Sequence, residues 1–158
     1  MVHKPKHKVH SFRGLLGDGG QDKIKLERQN VNVAYRVIKL GLFPYRPGAT
    51  SHVESVVQVF RESQDSIPTA NPIVDFSAPD LLAAAYLADD VNNTSGPLEI
   101  VIIDSTVLFS RNIFITHTDA DGSAACNYYI EIEEVSVTAA TLMQLKLGVA
   151  RKLNLEQD

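Results

Sequence analysis

Between Asp22 and Val37 apolar residues return at every second position: Ile24 and Leu26 alternate with Lys23, Lys25 and Glu27, and Val31, Val33, Tyr35 and Val37 alternate with Asn32, Ala34 and Arg36. Period two places successive side chains on opposite faces of a strand. Pro44-Tyr45-Arg46-Pro47-Gly48 interrupts the pattern, because the prolines remove donors and the glycine favours a turn, and Val53 to Phe60 then resumes a β-branched run. Residues 61–76, polar and broken by Pro68 and Pro72, read as an irregular connection, after which Ile100 to Ile103 restarts the sheet.

The segments from Arg111 to Thr116 and from Cys126 to Val135, separated by His117 to Ala125, predict a β-hairpin with a long tip. In its second strand Tyr128, Ile130 and Ile132 share the buried face, whereas Asn127, Tyr129, Glu131 and Glu133 share the other. Two helices are expected. Ser77 with Asp80 resembles an N-cap, and Leu81-Leu82-Ala83-Ala84-Ala85-Tyr86-Leu87 has high helix propensity, which predicts a short connecting helix ending before Asp89 and Asp90. After Thr138, a cap residue, Leu142, Leu145 and Val149 recur at helical spacing in a C-terminal helix.

These elements predict a mainly β fold: an antiparallel β-sandwich or jelly-roll-like barrel with one short connecting helix and a C-terminal helix. Residues 1–22 read as an extended basic, glycine-rich N-terminal arm, and residues 23–158 as the β-rich domain with the terminal helix. The stretch from Gly14 to Gly20 is read as too rich in glycine to hold strand or helix, so the arm is expected to be dispensable for folding and needed for assembly through exchange with neighbouring copies.

The composition narrows the class. With 158 residues, 44% hydrophobic and 22% charged, the chain can bury a core, and a single cysteine rules out a disulfide framework. No apolar run approaches the roughly 18 residues of a membrane span. The opening MVHKPKHKVH lacks the apolar stretch of a secretory signal, so a soluble, non-exported chain is expected. A net charge of −4 argues against a nucleic-acid binder that uses its whole surface. The cations are nevertheless concentrated: Lys4, Lys6, Lys8 and Arg13, with His3, His7 and His10, form a candidate partner or genome contact that would bind phosphates through counterion release.

Catalytic chemistry finds little footing. Gly14 to Gly20 lacks the Gly-Lys-Ser/Thr ending that cradles phosphates, and no Gly-x-Ser-x-Gly elbow is present. His117-Thr118-Asp119-Ala120-Asp121-Gly122 offers oxygen and imidazole donors, yet an EF-type loop needs a third acidic position and a distal Glu, and zinc needs another His or Cys. The segment is read as a polar turn without metal. Glu131 and Glu133 are read as a wet strand face, and Cys126 as a small buried hydrophobe. No catalytic residue, metal or cofactor is therefore expected, and the chain is not read as an enzyme.

Ser77-Ala78-Pro79-Asp80-Leu81-Leu82-Ala83-Ala84-Ala85-Tyr86, Asn112-Ile113-Phe114-Ile115-Thr116-His117 and Asn127-Tyr128-Tyr129-Ile130-Glu131-Ile132-Glu133 give the chain a family likeness. It resembles small proteins encoded by uncultured marine and freshwater bacterial viruses, from about Ile24 to the C-terminal helix. The resemblance implies a capsid or other virion structural protein, assembled in the host cytoplasm from many copies of itself together with other virion proteins. It supplies no catalytic residues, and the basic arm lies outside it. Two other classes are open. A nucleic-acid-binding β-barrel would use the arm with Tyr128, Tyr129, Phe12 or Phe114 as stacking platforms, and a small hydrolase or a carbohydrate- or metal-binding module would use Asp119 and Asp121.

Overall fold

The computed structural model describes residues 8–26, 32–48, 52–89 and 96–147. Among the described residues eight strands form: β1 (Val9–Leu16), β2 (Gln21–Ile24), β3 (Val33–Pro44), β4 (Val53–Phe60), β5 (Leu81–Asp89), β6 (Leu98–Ile103), β7 (Ile113–Asp119) and β8 (Cys126–Ser136). They make two antiparallel sheets, one of three strands in the order β1-β8-β3 and one of five in the order β2-β7-β4-β5-β6. Side chains of both inner faces meet in one core: Val37, Leu40, Tyr128, Ile130 and Ile132 from the smaller sheet join Val57, Val59, Ala85, Ile113 and Ile115 from the larger. The architecture is sandwich-like, and the sheets are not closed into a barrel. A helix over 139–147 follows β8, capped as the sequence predicts by Thr138, whose Oγ1 accepts the Thr141 amide at 3.1 Å.

Three expectations are corrected. The connecting helix does not form, since Leu81 to Asp89 is β5, inside the larger sheet between β4 and β6. Ser77 closes a turn on Asp75 instead of capping a helix. Alanine favours a helix by only about 0.5 kcal/mol per residue over average residues. Backbone pairing on both edges, with burial of Leu82, Ala83, Ala85 and Leu87, outweighs that preference.

The hairpin does not form either. β7 pairs with β2 and β4, and β8 with β1 and β3, so the segment between them carries the chain from one sheet to the other. Ile113, Ile115 and His117 thus face the core from one sheet while Tyr128, Ile130 and Ile132 face it from the other.

The third correction concerns the arm. Val9 to Leu16 is paired along the whole of its length with β8 of the same chain, and the expected boundary after residue 22 falls inside β2. The glycines serve the turn, not an open tether. Gly19 has φ +76°, a left-handed conformation that favours glycine, and its amide donates to the His117 carbonyl at 2.9 Å. Residues 17–20 move the chain from the smaller sheet to the larger, alongside the segment after β7 that moves it back. The ribbon β1-β2 therefore pairs with the ribbon β8-β7 around one corner of the sandwich.

Tyr128 ties the sheets together at this end. Its side chain reaches across the core from β8, and its hydroxyl donates to Asp22 of β2 at 2.8 Å. Gly14 makes room for the ring, because a Cβ there would stand 2.7 Å from the Tyr128 hydroxyl oxygen. Burial, then the hydrogen bond to the Asp22 carboxylate and its charge, hold the phenol well above its ordinary value of 10.0.

Two outcomes follow. Removing residues 1–20 takes away β1, the turn and the buried Leu16, and is expected to abolish the cooperative melting transition seen by circular dichroism. A truncated protein that melts like the full chain would show that β1 is dispensable. Tyr128→Phe is expected to lose about 2 kcal/mol in urea unfolding near neutral pH. With a raised folded pKa, the Tyr128 contribution is complete below the ordinary phenol value and declines as pH rises toward the folded one. The gap between wild type and Tyr128→Phe should accordingly narrow in alkaline buffer, and a gap independent of pH would contradict the link to Asp22.

Candidate functional site

The His-Thr-Asp-Ala-Asp-Gly motif is not the tip of a hairpin. His117 and Asp119 lie on β7 with both side chains buried. Asp119 Oδ1 accepts the amides of Glu54 at 3.2 Å and Asp121 at 3.1 Å, and Oδ2 accepts the amide of Ala124 at 2.9 Å. Its own amide donates to Asp18 Oδ1 at 2.9 Å. His117 Nδ1 lies 3.0 Å from the Gly17 carbonyl oxygen, an acceptor, so this nitrogen carries the proton. Both carboxylate oxygens of Asp119 are thus committed to backbone donors of β4 and the crossover, and the motif does structural work. Among the described residues no group of three or more His, Cys, Asp or Glu side chains is placed to hold a metal ion.

Alternation on β8 is as the sequence predicts: Tyr128, Ile130 and Ile132 are buried, and Glu131 and Glu133 lie half-buried on the outer face. Each of these carboxylates has a partner. Arg36 pairs with Glu133 at 2.6 Å, and the Tyr129 hydroxyl donates to Glu131 at 2.8 Å, which holds the Tyr129 phenol above its usual range. Such separate partnerships do not bring two carboxylates to one reacting bond. Cys126 is fully buried, and that burial pushes its thiol up, away from the thiolate that a nucleophile needs.

The remaining candidates are scattered. Lys4 and Lys6 lie outside the described residues, whereas Lys8 is exposed beside β1 and Arg13 projects from its outer face. The four aromatic residues considered as stacking platforms do not share a surface. Phe12 and Tyr128 pack into the core, Phe114 lies on the outer face of the larger sheet, and Tyr129 lies on the outer face of the smaller one. Gly41 leaves a shallow depression of about 700 Å³ beside Tyr129, bordered by Arg13, Leu15, Phe43 and Asn127. Lys39 stands with its ammonium 5.5 Å from the Tyr129 ring centroid. A second depression, about 540 Å³, lies beside residues 120–125 and draws on Arg46, His52 and Asp121.

The most distinctive surface was not singled out by sequence reasoning. β6 is an edge strand with β5 as its neighbour, and its outward side chains Leu98, Ile100 and Ile102 are 53%, 48% and 51% exposed. Its inward side chains Val101 and Ile103 pack against the core, and the third inward residue, Glu99, accepts the Leu42 amide of β3 at 3.1 Å through Oε1. The signal was present in Leu98-Glu99-Ile100-Val101-Ile102-Ile103, where alternation expects polar residues at the outward positions and aliphatic ones stand instead. Edge strands of stable monomers carry charges, prolines or bulges that discourage pairing. β2 is four residues long and exposes Lys23, and β3 is bulged between Val37 and Lys39. β6 has no bulge in its register and no lysine, arginine or internal proline, and its one charge, Glu99, is on the inward side and bonded to β3.

Asp119→Ala leaves two amides of the crossover and one of β4 without their acceptor, and is expected to cost about 3 kcal/mol in urea unfolding. A loss below about 1 kcal/mol would show that the corner holds without this carboxylate. Comparison with protein-family models, with curated proteins and with solved structures gives no match for this chain, so its surface chemistry, above all the apolar edge at β6, is what speaks to its role.

Proposed function

We propose that this chain is a structural subunit that works by assembling with copies of itself, as a capsid or other component of a bacterial virus particle. The observation that carries the reading is the outward aliphatic stripe on β6. Leu98, Ile100 and Ile102 stand side by side on a strand whose outer edge pairs with no strand among the described residues, where water is the alternative to a partner. Leu15 and Phe43 on the outer face of the smaller sheet, and Ile73 and Phe76 in the connection before β5, are further large apolar side chains exposed by the isolated chain. Burial of an aliphatic stripe releases about 25 cal/mol per Å², so a subunit with several such faces gains from each copy it meets. Among the described residues no helix is long and apolar enough to cross a membrane.

The virion context rests on the resemblance carried by Ser77 to Tyr86, Asn112 to His117 and Asn127 to Glu133, and a genome contact would use Lys4, Lys6, Lys8 and Arg13, of which Lys8 and Arg13 are described and exposed. Sedimentation velocity over a concentration series tests the assembly reading. Oligomers that grow with concentration are the expected result. A strict monomer at high concentration would overturn it.

A further inference from the structure

We propose that two copies of this chain join through β6 in an antiparallel pair with its two-fold axis at Ile100, so that two five-stranded sheets become one of ten strands. This deepens the self-assembly reading and rests on it.

The backbone decides which residues can pair. Asp104 donates its amide to the Leu82 carbonyl at 3.0 Å, one step beyond the register pair Ala83 and Ile103. In an antiparallel ladder hydrogen-bonded and non-hydrogen-bonded pairs alternate. Leu98, Ile100 and Ile102 therefore direct their amides and carbonyls toward β5. Glu99, Val101 and Ile103 direct theirs to the open edge, as the donors and acceptors that an added strand must meet. A symmetric partner has to place these odd-numbered residues opposite one another, which limits the register to steps of two.

Side chains choose among those steps. With Ile100 opposite Ile100 of the second copy, Leu98 lies opposite Ile102, and Glu99 opposite Val101. Six aliphatic side chains then form an unbroken outer stripe, and Glu99 to Val101 supplies the hydrogen-bonded pairs. A shift of two residues in one direction sets Glu99 against Glu99 of the second copy, a like-charge pair. A shift in the other direction sets Leu98 against Asp104. The centred register avoids both, and Pro97, which has no amide to donate, stands at the end of the paired segment, where the loss is least.

The occupant is a second copy because the strand is complementary to itself. Under one two-fold rotation its outward-turned backbone groups meet one another, its outward aliphatic residues form one stripe, and its single charge, Glu99, is kept from facing its own counterpart. An isologous contact of this kind closes on itself and leaves the opposite edges of both sheets for other contacts.

Cysteine cross-linking tests the register on the full chain. Ile100 would lie in a non-hydrogen-bonded pair about 4.5 Å between Cα atoms, within disulfide range. Under mild oxidation Ile100→Cys is expected to convert most of the protein to a covalent dimer that a reductant reverses. Leu98→Cys alone and Ile102→Cys alone should stay monomeric on a denaturing gel, because each would be about 13 Å from its own counterpart, whereas their mixture should cross-link. The wild type, whose Cys126 is buried, serves as the background. If the wild type assembles but neither Ile100→Cys nor the mixture cross-links, the edge pairing is wrong while assembly stands. Equal cross-linking of all three single variants would mean random collision and would also overturn the register. If the wild type sediments as a monomer at the same concentration, both readings fall together.

Discussion

The fold turns on a carboxylate buried at one corner. Asp119 ends β7 and gathers the amides of Glu54, Asp121 and Ala124, while its own amide holds Asp18. A buried ionised group is costly unless donors surround it, and here three backbone donors that would otherwise lack partners do so. This satisfies the segment that leaves the larger sheet for the smaller one. Close by, the Gly17 to Gly20 turn makes the same passage in the opposite direction, fixed by the amide of Gly19 on His117 and the amide of His117 on Gly20. Both crossings share one set of hydrogen bonds, so neither ribbon can bend without the other.

From that corner the rest of the sandwich follows. β1 must run beside β8 and β2 beside β7, which brings Tyr128 opposite Asp22 and requires Gly14 to stay without a side chain. A different device ties β3 to the connection between β6 and β7. Tyr35 and Phe109 exchange both backbone hydrogen bonds, at 2.7 and 2.9 Å, and stack their rings with centroids 5.9 Å apart. The Tyr35 hydroxyl donates to the Leu26 carbonyl at 2.8 Å and so anchors the chain beyond β2. Polar groups are thus spent on holding the two sheets and their connections in place, and the interior they enclose is mainly aliphatic, with Tyr35, Phe109 and Tyr128 as its aromatic members, the two tyrosines making polar contacts.

That distribution leaves the outer surface to carry whatever the molecule does. Its acidic strand is matched by Arg36 and Tyr129, and two of the strand edges are guarded by brevity or a bulge. β6 stands apart because its outward face lacks them together: no bulge in its register, no basic residue, and an aliphatic side chain at each outward position, its one charge, Glu99, being turned inward to the Leu42 amide. An unguarded edge is a hazard to a lone molecule and an asset to a subunit, since the backbone groups that would recruit the wrong strand also recruit the right one.

The sequence by itself determined the local elements whose patterns have one reading. The β-branched run of Val53 to Phe60 and the period two of Cys126 to Val135 were enough to assign β4 and most of β8 and to set the buried face of Tyr128, Ile130 and Ile132, and the longer period that follows placed the Thr138 cap. It did not determine who pairs with whom. Alternation says which face of a strand is buried and nothing about which strand lies on its edge, so β7 and β8, adjacent in the chain, read as a hairpin although they belong to different sheets. The alanine run from Ala83 to Ala85 read as helix because intrinsic propensity was the evidence at hand, and only the strands on either side made it β5. Asp119 looked like a turn residue, since a carboxylate surrounded by three amides drawn from β4 and the crossover exists only once those segments meet. The open edge of β6 is likewise a property of the assembled sheet: a strand has an unpaired side only after every other pairing has been made.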